Sequence, residues 1–222
     1  METNSDSLVS KLDEQVRRRH LLQHPFYQDW QAGRLERGAL QLYAAQYYRH
    51  VEAFPRHLRT LAARTNGKLR SLIEENLAEE ENPRLPHPRL WRDFAAAVGV
   101  SHEDLDATEP LPGTRTLVDT YGNICRERSP AEAVAALYVY EAQVPEIASQ
   151  KIAGLRQFYG VTNPKGLAYF TVHEEADQRH RAAWRGWLTQ DASDSNESVL
   201  RTGDEALQAL WGALDAVQTA RA

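Results

Sequence analysis

The chain has 222 residues, 42% of them hydrophobic and 26% charged, and carries a net charge of −5. This is the composition of a globular chain with enough apolar residues for a substantial core; its acidic balance argues against nucleic acid or an anionic membrane as partner, and no apolar run approaches the roughly 18 residues of a membrane span. Cys125 is the single cysteine, which excludes an intramolecular disulfide and a thiolate metal cluster and makes the cytoplasm the expected compartment.

The N-terminus, Met1 to Asp6, is polar and acidic, unlike a secretory signal. Ser5 or Asp6 can cap a first helix that runs through Leu8, Leu12, Val16, Leu21 and Leu22. His24-Pro25 ends it, and Pro25 can open a short second helix carrying Phe26, Tyr27 and Trp30. A long third helix is predicted from about Glu36 to Arg64, with Leu40, Tyr43, Tyr47, Val51, Phe54, Leu58 and Leu61 on one broad face and a kink at Pro55. Asn66-Gly67 reads as a turn, followed by a fourth helix from Lys68 to about Glu81.

Pro83, Pro86 and Pro88 then interrupt the pattern. A shorter helix through Leu90, Trp91, Phe94 and Val98 ends near Gly99, Ser101 caps a brief turn or helix, and a further helix spans about Thr114 to Arg128 after Pro110 and Pro112. Ser129-Pro130-Ala131-Glu132 is a helix start: serine as cap, proline at the first helical position, glutamate at the third. The helix it opens is expected to reach about Tyr159. Asn163 to Gly166 separates it from a helix ending near Gln190; Asp191 to Ser198 reads as a loop, and a last helix carries Leu207, Leu210, Trp211, Leu214 and Val217. With no repeat, no composition shift and no strand pattern, residues 1–222 read as one all-α domain, a helical bundle.

The most informative stretch is His173-x3-Asp177-x2-His180, inside the long helix near the C-terminus. Offsets of four and seven residues stack all three side chains on one helix face. Two imidazoles and a carboxylate in that register suit a first-row transition metal. A solvated polar face is the competing reading, since Glu174, Glu175, Gln178 and Arg179 surround them.

Two more candidate sources of ligands exist. Glu80 and His87 flank the proline-rich break, so one falls at the end of a helix and the other at the start of the next, although spacing alone does not separate Glu80 from Glu74, Glu75, Glu79 and Glu81. Glu141 lies in the apolar run Leu137 to Pro145, where an ionised carboxylate needs a partner or a metal. The ring of Pro145 should also displace the Glu141 carbonyl and deform the helix there. A salt bridge from Glu141 to a buried arginine competes with the metal reading. Together, His87, His173 and His180 with Glu80, Glu141 and Asp177 suit two ions bridged by a carboxylate, with iron or manganese favoured over structural zinc. The paired Glu-x-x-His motifs of ferritin-like bundles are not found, so a different bundle is expected.

These residues resemble a known family. His24-Pro25-Phe26-Tyr27 to Gly33, followed by Tyr43 to His57, is similar to the TENA/THI-4 and pyrroloquinoline-quinone synthase superfamily. The six-ligand distribution resembles its dimetal branch, the heme-oxygenase-like oxidases, and in particular the CADD-type para-aminobenzoate synthases, over roughly Leu8 to Trp187. The resemblance implies a heme-oxygenase-like bundle of about seven to nine helices. It implies a self-sacrificing oxidase in which Tyr27 supplies the ring of para-aminobenzoate, a folate precursor, and Lys151 the nitrogen, while Tyr140 and Tyr169 relay a radical. It also implies two metal ions, iron and/or manganese, dioxygen and an external reductant as co-substrates, a homodimer, and an electron donor as partner. The residues give partial support: Tyr140 adjoins Glu141, Tyr169 lies four residues before His173, and Lys151 lies ten after Glu141, almost three turns along the same expected helix face. Tyr43, Tyr47, Tyr48, Tyr121, Tyr138 and Tyr159 read as core rings with hydrogen-bonded hydroxyls.

Three other readings compete. One is a heme-oxygenase-like diiron oxidase acting on an external small molecule. Another is a cofactorless enzyme similar to pyrroloquinoline-quinone synthase, or a TENA-like enzyme whose nucleophile would have to be Cys125. The last is an acidic interaction module docking through an exposed apolar patch.

Overall fold

The computed structural model describes residues 4–190, 192 and 196–221, and all of its regular elements are helices. They are α1 (Asn4–Arg18), α2 (Pro25–Gln31), α3 (Arg37–Ala63), α4 (Gly67–Glu80), α5 (His87–Ala97), α6 (His102–Ala107), α7 (Pro112–Glu127), α8 (Pro130–Glu141), α9 (Val144–Gln157), α10 (Pro164–Gln190) and α11 (Asn196–Ala220), with a 3-10 turn at Leu21–Gln23. Among the described residues nine helices have eleven residues or more; α2 and α6 are the short ones. No helix is long and apolar enough to cross a membrane.

α8 is the axis of the bundle. Every residue from Ala131 to Glu141 is buried, which fits a helix that is apolar on all sides. α11 packs on α7 and α8, α10 on α9, α5 and α8, and α3 on α7, α4 and α5. The expected serine cap is present: Ser129 Oγ accepts from the Glu132 amide at 3.2 Å, and Glu132 Oε2 accepts from the Ser129 amide at 3.1 Å.

Four boundaries differ from the sequence expectation. α1 stops at Arg18 rather than continuing through Leu22; His20 Nδ1 accepts from the Leu22 amide and starts a separate turn. Ser5 and Asp6 lie within α1, which begins at Asn4. α3, by contrast, has the expected extent, running through Pro55 to Ala63. The helix opened at Ser129 does not reach Tyr159: it ends at Glu141, and α9 begins at Val144 with Pro145 in its first turn. Proline cannot donate to the Glu141 carbonyl, and its ring excludes that carbonyl from the helix axis. Gln143 secures the break, accepting from the Leu21 amide at 2.9 Å and donating to the Val139 carbonyl at 2.8 Å. Of the expected loop Asp191–Ser198, residues 191 and 193–195 lie outside the described residues, as do Met1–Thr3, and Asn196–Ser198 already belong to α11.

Two local features set the position of Tyr27. His24 caps α2, its Nδ1 accepting from the Phe26 amide at 3.0 Å, with Pro25 in the first helical position. Gly154 on α9 then lets α2 approach closely: a Cβ there would stand 2.7 Å from the Trp30 ring. Trp30 Nε1 donates to the Lys151 carbonyl at 3.4 Å, so the α2–α9 contact holds Tyr27 and Lys151 side by side.

Candidate metal centre

Four helices deliver the six expected ligand residues to one place. Glu80 ends α4, His87 begins α5, Glu141 ends α8, and His173, Asp177 and His180 line one face of α10. All six are buried. They form two groups, Glu80/His87/His173 and Glu141/Asp177/His180, and within each the candidate ligand atoms all lie within 4.8 Å of one another. His87 Nδ1 is 3.0 Å from Glu80 Oε2, and the rings of His87 and His173 are 4.4 Å apart. His180 Nδ1 lies 3.5 Å from Asp177 Oδ1 and 3.8 Å from Glu141 Oε2.

Neighbouring groups fix the donors. His173 Nδ1 is 2.6 Å from the Tyr169 carbonyl, which can only accept, so Nδ1 carries the proton and Nε2 keeps its lone pair free. Asn76 Nδ2 donates to Glu141 Oε1 at 2.8 Å and Trp184 Nε1 to Oε2 at 2.5 Å. Arg179 donates to both carboxylate oxygens of Glu79, whose Oε2 stands 3.5 Å from His180 Nε2.

The electrostatics of the cluster call for cations. Burial pushes the Glu141 carboxyl up to about 8 and the Asp177 carboxyl up to about 6. Burial works against a charged His180, but the carboxylates of Asp177, Glu141 and Glu79 outweigh it and raise that ring to about 9. Burial, with His87 beside it, holds His173 well below its ordinary value. Asp177 Oδ2, His87 Nδ1 and both ring nitrogens of His180 are buried without a hydrogen-bond partner. Buried polar atoms of this kind are costly unless satisfied. Three carboxylates and three imidazoles, without sulfur, fit a pair of first-row divalent ions, which would displace the protons and satisfy the free donor atoms.

The expected tyrosines and lysine form a second, contiguous cluster. Tyr27 is buried and its hydroxyl is 2.9 Å from that of Tyr43. Lys151 Nζ donates to the Tyr43 hydroxyl at 2.6 Å and sits 5.1 Å from the centre of the Tyr27 ring. The rings of Tyr43, Tyr47, Trp91 and Phe170 also surround it, and burial holds its amine well below the ordinary lysine range. Lys151 lies on α9, not on the Glu141 helix; the break at Ala142-Gln143 separates the two.

Sequence reasoning missed Tyr43 and Tyr47 as members of the site. The two are stacked, with centroids 5.5 Å apart, and the Tyr47 hydroxyl is 3.0 Å from that of Tyr140. Tyr169 lies against His173 at 4.1 Å. A continuous path of rings therefore joins Tyr27 to the ligand cluster. A narrow cavity of about 20 Å³ runs along it, lined by Tyr27, Tyr47, Tyr140, Lys151, Tyr169 and His173 among others. The only signal for Tyr43 and Tyr47 was their four-residue spacing on one face of α3, which core packing produces equally well. Cys125 belongs to neither cluster; burial pushes its thiol up to about 12, so it is no thiolate nucleophile.

Comparison with known proteins shows the family and the fold of the chain. The sequence profile of the iron-containing redox enzymes matches residues 41–216. The 4-aminobenzoate synthase of Chlamydia muridarum is 41% identical over 212 residues, covering 95% of this chain and 90% of its own. A TenA homologue from Pseudomonas syringae pv. tomato superposes with a TM-score of 0.81 at 16% identity, covering 96% and 92% of the two chains. Heme oxygenase-2 from Synechocystis sp. PCC 6803 superposes with a TM-score of 0.73 at 13% identity, covering 96% and 86%, so the fold is heme-oxygenase-like. The chain belongs to the iron-containing redox enzymes and to the family of these 4-aminobenzoate synthases.

Proposed function

We propose that this protein makes 4-aminobenzoate from its own side chains, Tyr27 supplying the aromatic ring and Lys151 the nitrogen. Glu80, His87 and His173 would hold one ion and Glu141, Asp177 and His180 the other. When bound, an iron or mixed iron and manganese pair supplies the activation of dioxygen and one-electron oxidising power, with electrons from an external reductant.

The single observation that carries the reading is the buried contact of Tyr27, Tyr43 and Lys151, joined to the ligand cluster by a cavity of about 20 Å³. That volume suits one or two molecules of the size of water. It is smaller than an aromatic acid arriving from outside would need, which supports a ring already present as the one oxidised. Burial favours the neutral form of the Lys151 amine, whose lone pair is what attack on an oxidised ring carbon requires. Tyr43 holds both reacting groups, bonded to Tyr27 on one side and Lys151 on the other. Tyr47, Tyr140 and Tyr169 line the interval to His173.

The test is intact-mass analysis of the metal-loaded protein before and after dioxygen and reductant are supplied. The expected result is one equivalent of 4-aminobenzoate per chain with mass lost at Tyr27. Product formed with Tyr27 intact would overturn self-sacrifice in favour of an oxidase acting on an external substrate.

A further inference from the structure

His50 is the most anomalous side chain outside the two clusters. It is fully buried on α3, and neither ring nitrogen bonds any group among the described residues. A buried imidazole without a hydrogen bond is costly, and a polar group left in that condition calls for a reason. Its surroundings are aromatic: Tyr140 at 5.1 Å, Tyr121 at 5.2 Å, Tyr47 at 5.5 Å and Phe54 at 5.8 Å, between ring centroids. It therefore flanks both members of the hydrogen-bonded Tyr47–Tyr140 pair.

Oxidation of a buried tyrosine to a neutral radical removes one electron and one proton, and the proton needs an acceptor. Around Tyr140 the candidates are few. Glu80, Glu141 and Asp177 are committed as ligands in the reading above. Lys151 is bonded to the Tyr43 hydroxyl. We propose that His50 is the proton acceptor for oxidation of the Tyr47–Tyr140 pair. With ions held by Glu80, His87 and His173 and by Glu141, Asp177 and His180 supplying one-electron oxidising power from dioxygen, Tyr140 would lose one electron while one hydroxyl proton leaves the tyrosine pair for a ring nitrogen of His50, forming imidazolium; reduction of Tyr140 would return both. The transfer requires a ring nitrogen to come within hydrogen-bond reach of a hydroxyl of the pair, to which its ring is already adjacent. Burial keeps His50 neutral, lowering it to about 3, so one of its two ring nitrogens keeps a free lone pair. A phenol that has lost an electron is acidic enough to protonate so weak a base, and a weak base gives the proton back readily.

The inference rests on the relay role given to Tyr140, so its test avoids the metal. The metal-free full-length chain is oxidised by a flash-generated ruthenium(III) tris-bipyridine complex, and the neutral tyrosyl radical is followed by absorbance and electron paramagnetic resonance. Tyr140→Phe should remove the signal that belongs to the pair. His50→Phe and His50→Gln, which fill the site without accepting a proton, should lower that signal by roughly a hundredfold. In His50→Ala, added imidazole should restore it and toluene should not. Wild-type yield in His50→Phe or His50→Gln, restoration by toluene, or a signal indifferent to Tyr140→Phe would overturn the proposal. Thermal unfolding of each variant confirms a folded chain, and His50→Ala with imidazole keeps the test decisive if the Phe variant does not fold. Product formation with Tyr27 intact would overturn self-sacrifice without changing this result.

Discussion

The indole N–H of Trp184 donates to Glu141 Oε2 at 2.5 Å, linking α10 to the last turn of α8 inside the ligand cluster. A hydrogen bond to a buried carboxylate orients it as a ligand and sets its basicity. Trp184→Phe keeps the ring bulk and removes the donor. Affinity for the second ion should fall about 10- to 100-fold, read by competition with a chelator of known affinity. Equal affinity in the two proteins would show that Asn76 alone orients Glu141.

Metal uptake should release protons, and the direction follows from the cluster. Without metal, Glu141 at about 8 and His180 at about 9 hold protons at neutral pH, and Asp177 at about 6 does so in mild acid. Ions must displace those protons to bind. Apparent affinity should therefore climb as pH rises from about 6 and level off above about 9. Titration calorimetry in buffers of different ionisation enthalpy measures the protons released at pH 7. His173 is already neutral and contributes none. Affinity independent of pH across this window would mean that the ions are held by other residues.

Lys151 gives stability its own dependence on pH, also rising toward alkaline pH. Burial lowers its folded value well below the ordinary 10.5, so the unfolded chain binds the extra proton between the two values. The Lys151 contribution to stability should therefore rise with pH up to about 10.5, as linkage requires. Lys151→Met removes that slope. The variant should be more stable at pH 7 by about 1–3 kcal/mol, the cost of burying a weakly bonded polar group. The gap should close as pH rises, as measured by denaturant unfolding at several pH values. The same variant should bind metal normally and form no 4-aminobenzoate. Protein labelled with ¹⁵N only at lysine should give ¹⁵N product; unlabelled product would assign the nitrogen elsewhere.

The two clusters were not equally legible in the sequence. His173, Asp177 and His180 announce themselves because one helix carries all three, and helical periodicity turns spacing into direction. Glu80 was ambiguous among five glutamates. The structure separates it by burial: the Glu80 side chain is 8% exposed, Glu79 37% and Glu81 43%. Position at a helix terminus decides that, and it depends on where α5 packs. Pro145 foretold the disruption at Glu141, but a complete break also required Gln143 to bond α8 and the turn at Leu21, a contact across 122 residues. Tyr43 and Tyr47 were hidden for the opposite reason. Aromatic residues four apart on a core-facing helix look the same whether they pack or take part in chemistry, and only their hydroxyl partners distinguish the two.

Those partners make Tyr47 the sharpest test of the ring path. Tyr47→Phe keeps the stacked ring against Tyr43 and removes one hydroxyl, leaving that of Tyr140 without its 3.0 Å partner. Loss of one buried hydrogen bond should cost about 1–2 kcal/mol of stability, and both metal ions should remain. If the Tyr47–Tyr140 pair carries the oxidising equivalent inward, 4-aminobenzoate per chain should fall at least as far as in Tyr140→Phe, and the double variant should be no worse than either single one, because residues acting as a unit are not additive. Wild-type product from Tyr47→Phe, beside loss of product in Tyr140→Phe, would instead route the path through Tyr169 and Trp91, whose rings meet edge-on at 4.7 Å and reach Lys151 from the other side.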